Sequence, residues 1–464
     1  MEGFQLSYER KAPILEVDKE RTGENMKVMG IDIGTTSISI VLLDSETGEL
    51  AARETVNHKS FLAGETPEDK IQDPERIWRF TKEKVDELIH TYGAPKGIGL
   101  TGQMHGMLYV DKEGKAVGPL YTWQDGNGNK ILAEGKSCVN ILRERVGNAA
   151  TGYGLTTHFY LQKTGKLPEY GVKMTTISDY IAMKLCGRSK PVIGMDMAAS
   201  WGCYDLKDRE FRYEALEKAG VDISYIPEVR KDCFVVGETQ EGIPVMGAIG
   251  DNQASFRGAV TNLPDTVLVN VGTGGQVTFL SEKYVPCEGN LELRPFSKDS
   301  YILTGSSLCG GRAYAMLEQF YQEVSGRREE NHYGLMYEQA KEFIEQYGTE
   351  AAWKVRTTFS GTRENPNERG SISGISVENF HPGAMTVGVI MGILEESYQQ
   401  YKEMCRLTGK KAEYLVGSGN GIRQNRLMQE LAEEMYGLKL KIPRWEEEAA
   451  CGAAICMAEE LLKS

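Results

Sequence analysis

Residues 28–50 read VMGIDIGTTSISIVLLDSETGEL. Met29 to Ile33 is apolar and strand-like, Gly34-Thr35-Thr36 forms a tight turn, and Ser37 to Asp44 alternates before a second turn at Glu46 to Gly48. That is the pattern of a β-hairpin leading into further sheet. The first turn offers backbone amides at Gly34, hydroxyls at Thr35 and Thr36, and the carboxylate of Asp32 just before them. Amides and hydroxyls suit phosphate oxygens, and a carboxylate suits the hard cation that accompanies them. An ordinary hairpin has the same outline, so this segment alone leaves both readings open.

A second segment repeats the plan half a chain later. VLVNVGTGGQVTFLSE, residues 267–282, is an apolar strand, a turn at Gly272-Thr273-Gly274-Gly275, and a returning strand. Two copies describe a duplicated α/β protein of two lobes rather than a solenoid, with one hairpin per lobe to grip a polyphosphate from both sides. A third glycine cluster follows a strand at Tyr414 to Val416. Gly417, Gly419 and Gly421 lead into a helix with Leu427, Leu431 and Met435 on one face. Glycines there let backbone approach a flat ring or a phosphate.

Composition bounds the setting. The 464 residues suggest two domains, and 41% apolar with 26% charged residues is a globular balance. A formal net charge of -13 with scattered Lys and Arg argues against a nonspecific nucleic-acid or acidic-membrane binder. Nine cysteines without a CxxC pair read as reduced, packed thiols. No apolar run reaches the roughly 18 residues of a membrane span. A cytoplasmic protein is the expectation. Residues 1–25 mix charges with few apolar residues and read as an extension before Met26, which would itself serve as a natural start.

Taken in order, GIDIGTTS (30–37), TGQMHG (101–106), TWQDGN (122–127), GAIGDNQAS (247–255), NVGTGG (270–275), VGSGNGIRQN (416–425) and EEEAACGAA (446–454) resemble the FGGY carbohydrate kinases. The resemblance runs from about Met26 to the end of the chain. It implies an α/β fold with two lobes, the duplicated ribonuclease H-like ATPase fold of actin and Hsp70, with the active site in the interlobe cleft. It also implies lobes at 26–254 and 255–464, the latter including a closing helix at 449–462 whose small residues would suit a hinge. Within the family, GQMHG, TWQDG, DYIAMKLCG and AASWGCYDL are most similar to the branch that phosphorylates sedoheptulose, with the xylulose kinases next.

The resemblance carries roles onto residues whose chemistry suits them. Asp251, delivered by a strand to the first turn of a helix, matches the base that accepts the proton of the sugar hydroxyl, although a helix cap is the plain alternative. Asp32, with Asp251, would hold Mg²⁺. Gly34, Thr35 and Thr36 would meet the phosphates of ATP from one side and Gly272, Thr273 and Gly274 from the other, while Gly419 and Asn420 line the adenosine. Gln103, Met104 and His105 match the sugar-contacting segment, with a core histidine as the alternative for His105. Trp123 offers a stacking face, Asp125 a hydroxyl acceptor, and Asn252 completes the sugar set. The partner is then a small sugar, with no nucleic acid and no membrane; a homodimer is compatible.

Two positions depart from the family pattern. Asn127 stands where an arginine is common, which removes a charge and a bidentate donor and puts the far end of the sugar in question. In FSGTRENPNERG, which carries Arg363 and Pro366, Thr362 replaces a usual glutamate, and that loop receives no catalytic role. A chaperone of the same fold would need a peptide-binding domain, for which the expectation is no spare length, and a cytoskeletal ATPase would need filament surfaces. A non-catalytic sugar sensor would have lost Asp32 or Asp251, and both are present.

Overall fold

The structure is a computed structural model that describes residues 26–463 except 133, 134, 288, 363, 364 and 366. The extension at 1–25, and Arg363 and Pro366, therefore lie outside the described residues. The chain divides into two compact units. The first runs to Thr261 and also takes in Pro295–Lys298 and Glu447–Ser464; the second comprises Asn262–Arg294 and Asp299–Glu446.

In the first unit β1 (Lys27–Ile33) and β2 (Ser37–Asp44) form the expected antiparallel hairpin, with Ile31 opposite Ile40 and Asp32 opposite Ser39. β3 (Leu50–Asn57) extends it at the edge. On its other side β1 pairs in parallel with β4 (Ile98–Gly102). β5 (Val235–Glu238) and β6 (Pro244–Met246) continue the sheet, and the short β7 (Ile249–Gly250) also runs parallel to β4. β1 and β4 are buried along most of their length because helices cover the sheet, so they read as apolar runs rather than alternating ones. The register decides where function lies. Thr101 of β4 is level with Asp32 on one side and Ile249 on the other. The carboxyl ends of three adjacent parallel strands thus deliver the Gly34 turn, the Gln103–His105 segment and Asp251 to one edge, the edge at which open α/β sheets bind ligands.

Local signals set the helices. α1 (Pro74–Tyr92) starts with Pro at its first position behind Asp73, whose carboxylate accepts the Arg76 amide at 3.0 Å. It buries Ile77, Val85 and Leu88, as their spacing predicts, while Phe80 is partly buried. α2 (Ile177–Leu185), α3 (Met195–Ser200) and α4 (Asp251–Ala259) follow in the same unit.

The first compact unit extends past the expected 254/255 boundary to Thr261. α4 lies whole in the first unit, and so does the closing helix, Glu448–Lys463. That helix packs on α4, β1 and β4. The small residues read as a hinge serve this crossing: a Cβ on Gly452 would meet the Ala254 carbonyl at 1.9 Å, and one on Gly258 the Glu448 carbonyl at 1.9 Å. Position along the chain does not reveal such a return, whereas matched small-residue faces produce it. Gly452→Ala is expected to lower stability by about 1–3 kcal/mol through overpacking. A denaturation midpoint equal to wild type would contradict the close crossing.

The second unit repeats the plan. β8 (Thr266–Val271) and β9 (Gly275–Ser281) form a hairpin with Asn270 opposite Gln276. The sheet order is β10 (Leu291–Ser297), β11 (Ser300–Ser307), β9, β8, β12 (Tyr414–Ser418) and β13 (Leu440–Lys441), with β12 and β13 parallel to β8 and to each other in turn. β10 carries over into the residues counted with the first unit. α5 (Gly311–Ser325) follows β11. The helix expected after the third glycine cluster is two helices, α6 (Asn420–Arg423) and α7 (Arg426–Tyr436), because Asn425 caps the second by accepting the Met428 amide at 3.0 Å. Leu427 and Leu431 are buried as expected; Tyr436 rather than Met435 completes the buried stripe. Among the described residues no helix is long and apolar enough to cross a membrane.

Candidate active site

Asp32 lies near the end of β1, half-buried, and its carboxyl is pushed up to about 7, first by burial and then by the charge of Asp251. Asp251 opens α4 as its first residue, with Gly250 in the cap position, so it is not the cap. The Asn252 amide donates to Asp251 Oδ1 at 2.6 Å. Three side chains pin the turn between β1 and β2. His58 donates from Nε2 to the Gly34 carbonyl at 3.2 Å while its Nδ1 accepts from Ser60 at 2.7 Å, and burial lowers its pKa so that the ring is neutral. Gln72 donates to the Thr35 carbonyl at 2.6 Å, and the Trp123 indole donates to the Thr35 hydroxyl at 3.0 Å. A turn held this firmly presents its amides without paying to reorganise.

Gln103 continues the network from β4. Its amide donates to the Ile33 carbonyl at 2.9 Å and its side-chain Nε2 to Gln72 at 3.1 Å. Its Oε1 is buried and has no donor among the described residues. Met104 lies against the peptide before Asp251, since a Cβ on Gly250 would meet Met104 Cε at 2.7 Å. His105 adopts a left-handed backbone, φ 71°, unusual for a residue with a side chain. Its amide donates to Ser200 Oγ at 3.0 Å, its Nδ1 contacts the Ser200 carbonyl at 2.7 Å, and its ring stacks on Tyr153 at 4.6 Å. A carbonyl only accepts, so Nδ1 carries the proton and Nε2 the lone pair.

The second unit holds a cavity of about 880 Å³ lined by Gly272, Thr273 and Asn420 together with Tyr314, Tyr333 and Asn425. Tyr314 and Tyr333 stack at 5.4 Å. The side-chain amide of Asn425 lies within hydrogen-bonding reach of the Tyr314 hydroxyl. Gly274 and Gly419 belong to the adjoining turns. Gly419 has φ 80°, and a Cβ there would meet the Val271 carbonyl at 2.7 Å, so the approach of α6 to β8 requires glycine. Glycine backbone, an aromatic wall and a side-chain amide fit a nucleotide.

Residues 27–258 match the N-terminal domain of the FGGY family of carbohydrate kinases, and residues 267–459 match its C-terminal domain. The chain belongs to the FGGY family of carbohydrate kinases. It is 27% identical to a sedoheptulokinase of Mus musculus over 93% of this chain and 97% of that protein. A xylulose kinase of Staphylococcus epidermidis is 24% identical over 93% of this chain and 87% of its own. The fold matches the crystal structure of gluconate kinase from Lactobacillus acidophilus with a TM-score of 0.80 at 19% identity, covering 95% of this chain and 90% of that one. The mixed α/β architecture of two units is thus that of the FGGY kinases, consistent with the actin and Hsp70 type of fold.

Within this FGGY kinase the expected sugar residues divide. Gln103, Met104, His105 and Asn252 gather with Asp32 and Asp251 at the carboxyl edge of the first sheet. Trp123 is 45% exposed and linked to the phosphate-type turn. Asp125 is fully buried, and its carboxylate accepts the Asn127 amide at 3.1 Å and Asn127 Nδ2 at 3.0 Å. Asn127 also donates to Asp69 at 2.7 Å, so the position where an arginine is common bridges two carboxylates through a neutral amide. Tyr153, Gln72, Tyr314 and Tyr333 lie outside the quoted motifs, and Ser200 lies within AASWGCYDL, which drew no site role from it.

His105→Ala is expected to raise the sugar KM about 5- to 100-fold, the loss of one or two hydrogen bonds, with little effect on nucleotide binding. A lowered melting temperature with an unchanged sugar KM would make His105 a core histidine instead. Asp179 of α2 supplies a pH signature. Its buried carboxyl accepts from Thr176 at 2.7 Å and from the Ala248 amide at 3.0 Å, and burial pushes it up to about 7. An unfolded aspartate titrates near about 4. The folded value is raised, so the stabilising contribution is complete below about pH 4 and lost as pH rises through about 7. Relative to Asp179→Asn, the wild type is expected to lose stability from pH 5 to pH 8; parallel stability profiles would contradict this.

Proposed function

We propose that this carbohydrate kinase transfers the γ-phosphoryl group of ATP to a ketose hydroxyl, with sedoheptulose as the preferred acceptor and Asp251 as the general base. The paired carboxylates support the chemistry. Asp251 stands at the first turn of α4, within electrostatic reach of Asp32 and at the same sheet edge as the donor-deficient Gln103 carbonyl. A sugar hydroxyl is the natural donor for that oxygen. The likeness to the mouse sedoheptulokinase along 97% of that protein supports the seven-carbon acceptor.

In this mechanism Asp251 takes the proton as the sugar oxygen forms its bond to the γ-phosphorus and the bond to the departing ADP breaks. His105 Nε2 accepts from a sugar hydroxyl, Gln103 Oε1 accepts from a second, and Met104 supplies an apolar wall. The pinned amides and hydroxyls of Gly34, Thr35 and Thr36 receive phosphate oxygens, as do Gly272, Thr273 and Gly274, while Gly419 and Asn420 border the adenosine. Asp32 and Asp251, close enough for their charges to act on each other, are the residues that would hold Mg²⁺. Bound there, Mg²⁺ would supply neutralisation of phosphate charge.

Incubation with Mg-ATP and sedoheptulose, followed by mass spectrometry, is expected to give a sugar monophosphate and stoichiometric ADP. Folded, ADP-binding protein that yields no phosphorylated sugar would refute the proposal in favour of a sugar sensor.

A further inference from the structure

Two residues of α3, within the stretch MDMAAS, touch the two ends of the first unit's site. Asp196 and Ser200 are four residues apart and share a helix face. Asp196 Oδ2 accepts the amide of Gly250, the residue immediately before Asp251, at 2.6 Å. Its Oδ1 accepts the Met197 amide at 2.9 Å. At the other end Ser200 grips His105 twice, through Oγ to the His105 amide at 3.0 Å and through its carbonyl to Nδ1 at 2.7 Å. Ser200 Oγ is itself oriented by donating to the Met197 carbonyl at 2.7 Å.

Both attachments are made where the backbone needs outside support. β7 is two residues long, and Gly250 contributes no side-chain cap to α4. His105 is held in a left-handed conformation that persists only when surrounding contacts over-determine it. A carboxylate buried to 7% exposure is costly unless its oxygens are satisfied, and Asp196 satisfies them on the Gly250 and Met197 amides. Burial raises its pKa to about 6.

We propose that α3 is a brace setting the distance between the base and the sugar, with Asp196 and Ser200 as its positioning residues. The inference rests on reading Asp251 as the base and His105 as a sugar contact. Asp196 holds the peptide that carries the base; Ser200 holds the ring that meets the sugar. Neither touches substrate. Misplacement of a reacting group by about 1 Å costs about 10²-fold in rate.

The test measures steady-state kinetics with sedoheptulose and Mg-ATP, ADP affinity and melting temperature for Asp196→Asn, Ser200→Ala, the double variant and Asp251→Asn. Asp196→Asn is expected to lower kcat about 10²-fold with unchanged sugar KM and ADP affinity. Ser200→Ala is expected to act mainly on the sugar KM, and the double variant to fall short of the sum because both act through one helix. A folded Asp196→Asn enzyme with wild-type kcat overturns the brace, as does parallel loss of ADP binding and melting temperature, which marks a purely structural residue. Ser200→Ala reads the same geometry if the asparagine variant does not fold, and an unchanged sugar KM and kcat there also overturns it. Substantial turnover by Asp251→Asn would instead refute the base assignment, so the two failures are distinguishable.

Discussion

Asp251→Asn is expected to lower kcat by about 10²–10⁴-fold, the usual contribution of a positioned general base. The substitution removes the proton acceptor and almost no volume. Its carbonyl can still accept the Asn252 amide that now donates to Oδ1 at 2.6 Å, so the first turn of α4 should keep its shape. The cavity fitted to a nucleotide is lined by residues of the second unit, so ADP affinity should not move. Steady-state turnover with calorimetric ADP binding checks both halves. A kcat within about tenfold of wild type would remove Asp251 from the base role.

Asp32→Asn is expected to act in two opposed directions. Turnover should fall about 10²–10³-fold and require more Mg²⁺, since the variant loses one of the two carboxylates proposed to hold the metal. In the absence of nucleotide and metal the same variant should melt about 2–4 °C higher, because a carboxylate pressed by burial and by a like charge is replaced by a neutral amide. Thermal melts and a Mg²⁺ titration of activity read the two effects separately. An inactive variant that also melts lower would make Asp32 a structural residue, and unchanged Mg²⁺ dependence would remove it from the metal.

The site elements closest to regular structure were the most legible. The strand–turn–strand pattern at 28–50 and its copy at 267–282 are hairpins in the structure because apolar runs, glycine and alternation act over a few residues. Asp73 and Pro74 began a helix for the same local reason. What depended on distant return of the chain was not legible. The closing helix joined the first unit through a fit of small faces, Gly452 on Ala254 and Gly258 on Glu448, that no local signal reveals. The sequence offers Asp125 as a hydroxyl acceptor without showing that Asn127 and the loop before α1 enclose it, a consequence of tertiary folding. Ser200 and Tyr153 reach His105 from separate segments; Tyr153 lies outside every quoted motif, and Ser200 sits in AASWGCYDL, which by itself does not reveal the contact.

The preference for the far end of the sugar is where sequence chemistry is thinnest. Asn127 donates to Asp69 and Asp125 instead of presenting an arginine fork, so this corner is set by neutral hydrogen bonding. A single hydrogen bond gained or lost with the sugar shifts acceptor preference by about 1–3 kcal/mol without altering the transfer step. Sedoheptulose and a pentulose share the reacting chemistry and differ in chain length.

The most direct measurement is kcat/KM for sugar-dependent ADP release from Mg-ATP with sedoheptulose, D-xylulose, L-ribulose, D-ribulose and glycerol, each product identified by mass spectrometry. The highest value is expected for sedoheptulose, lower values for the pentuloses, and loss of all of them in Asp251→Asn. ADP release that is the same with and without every sugar would contradict this.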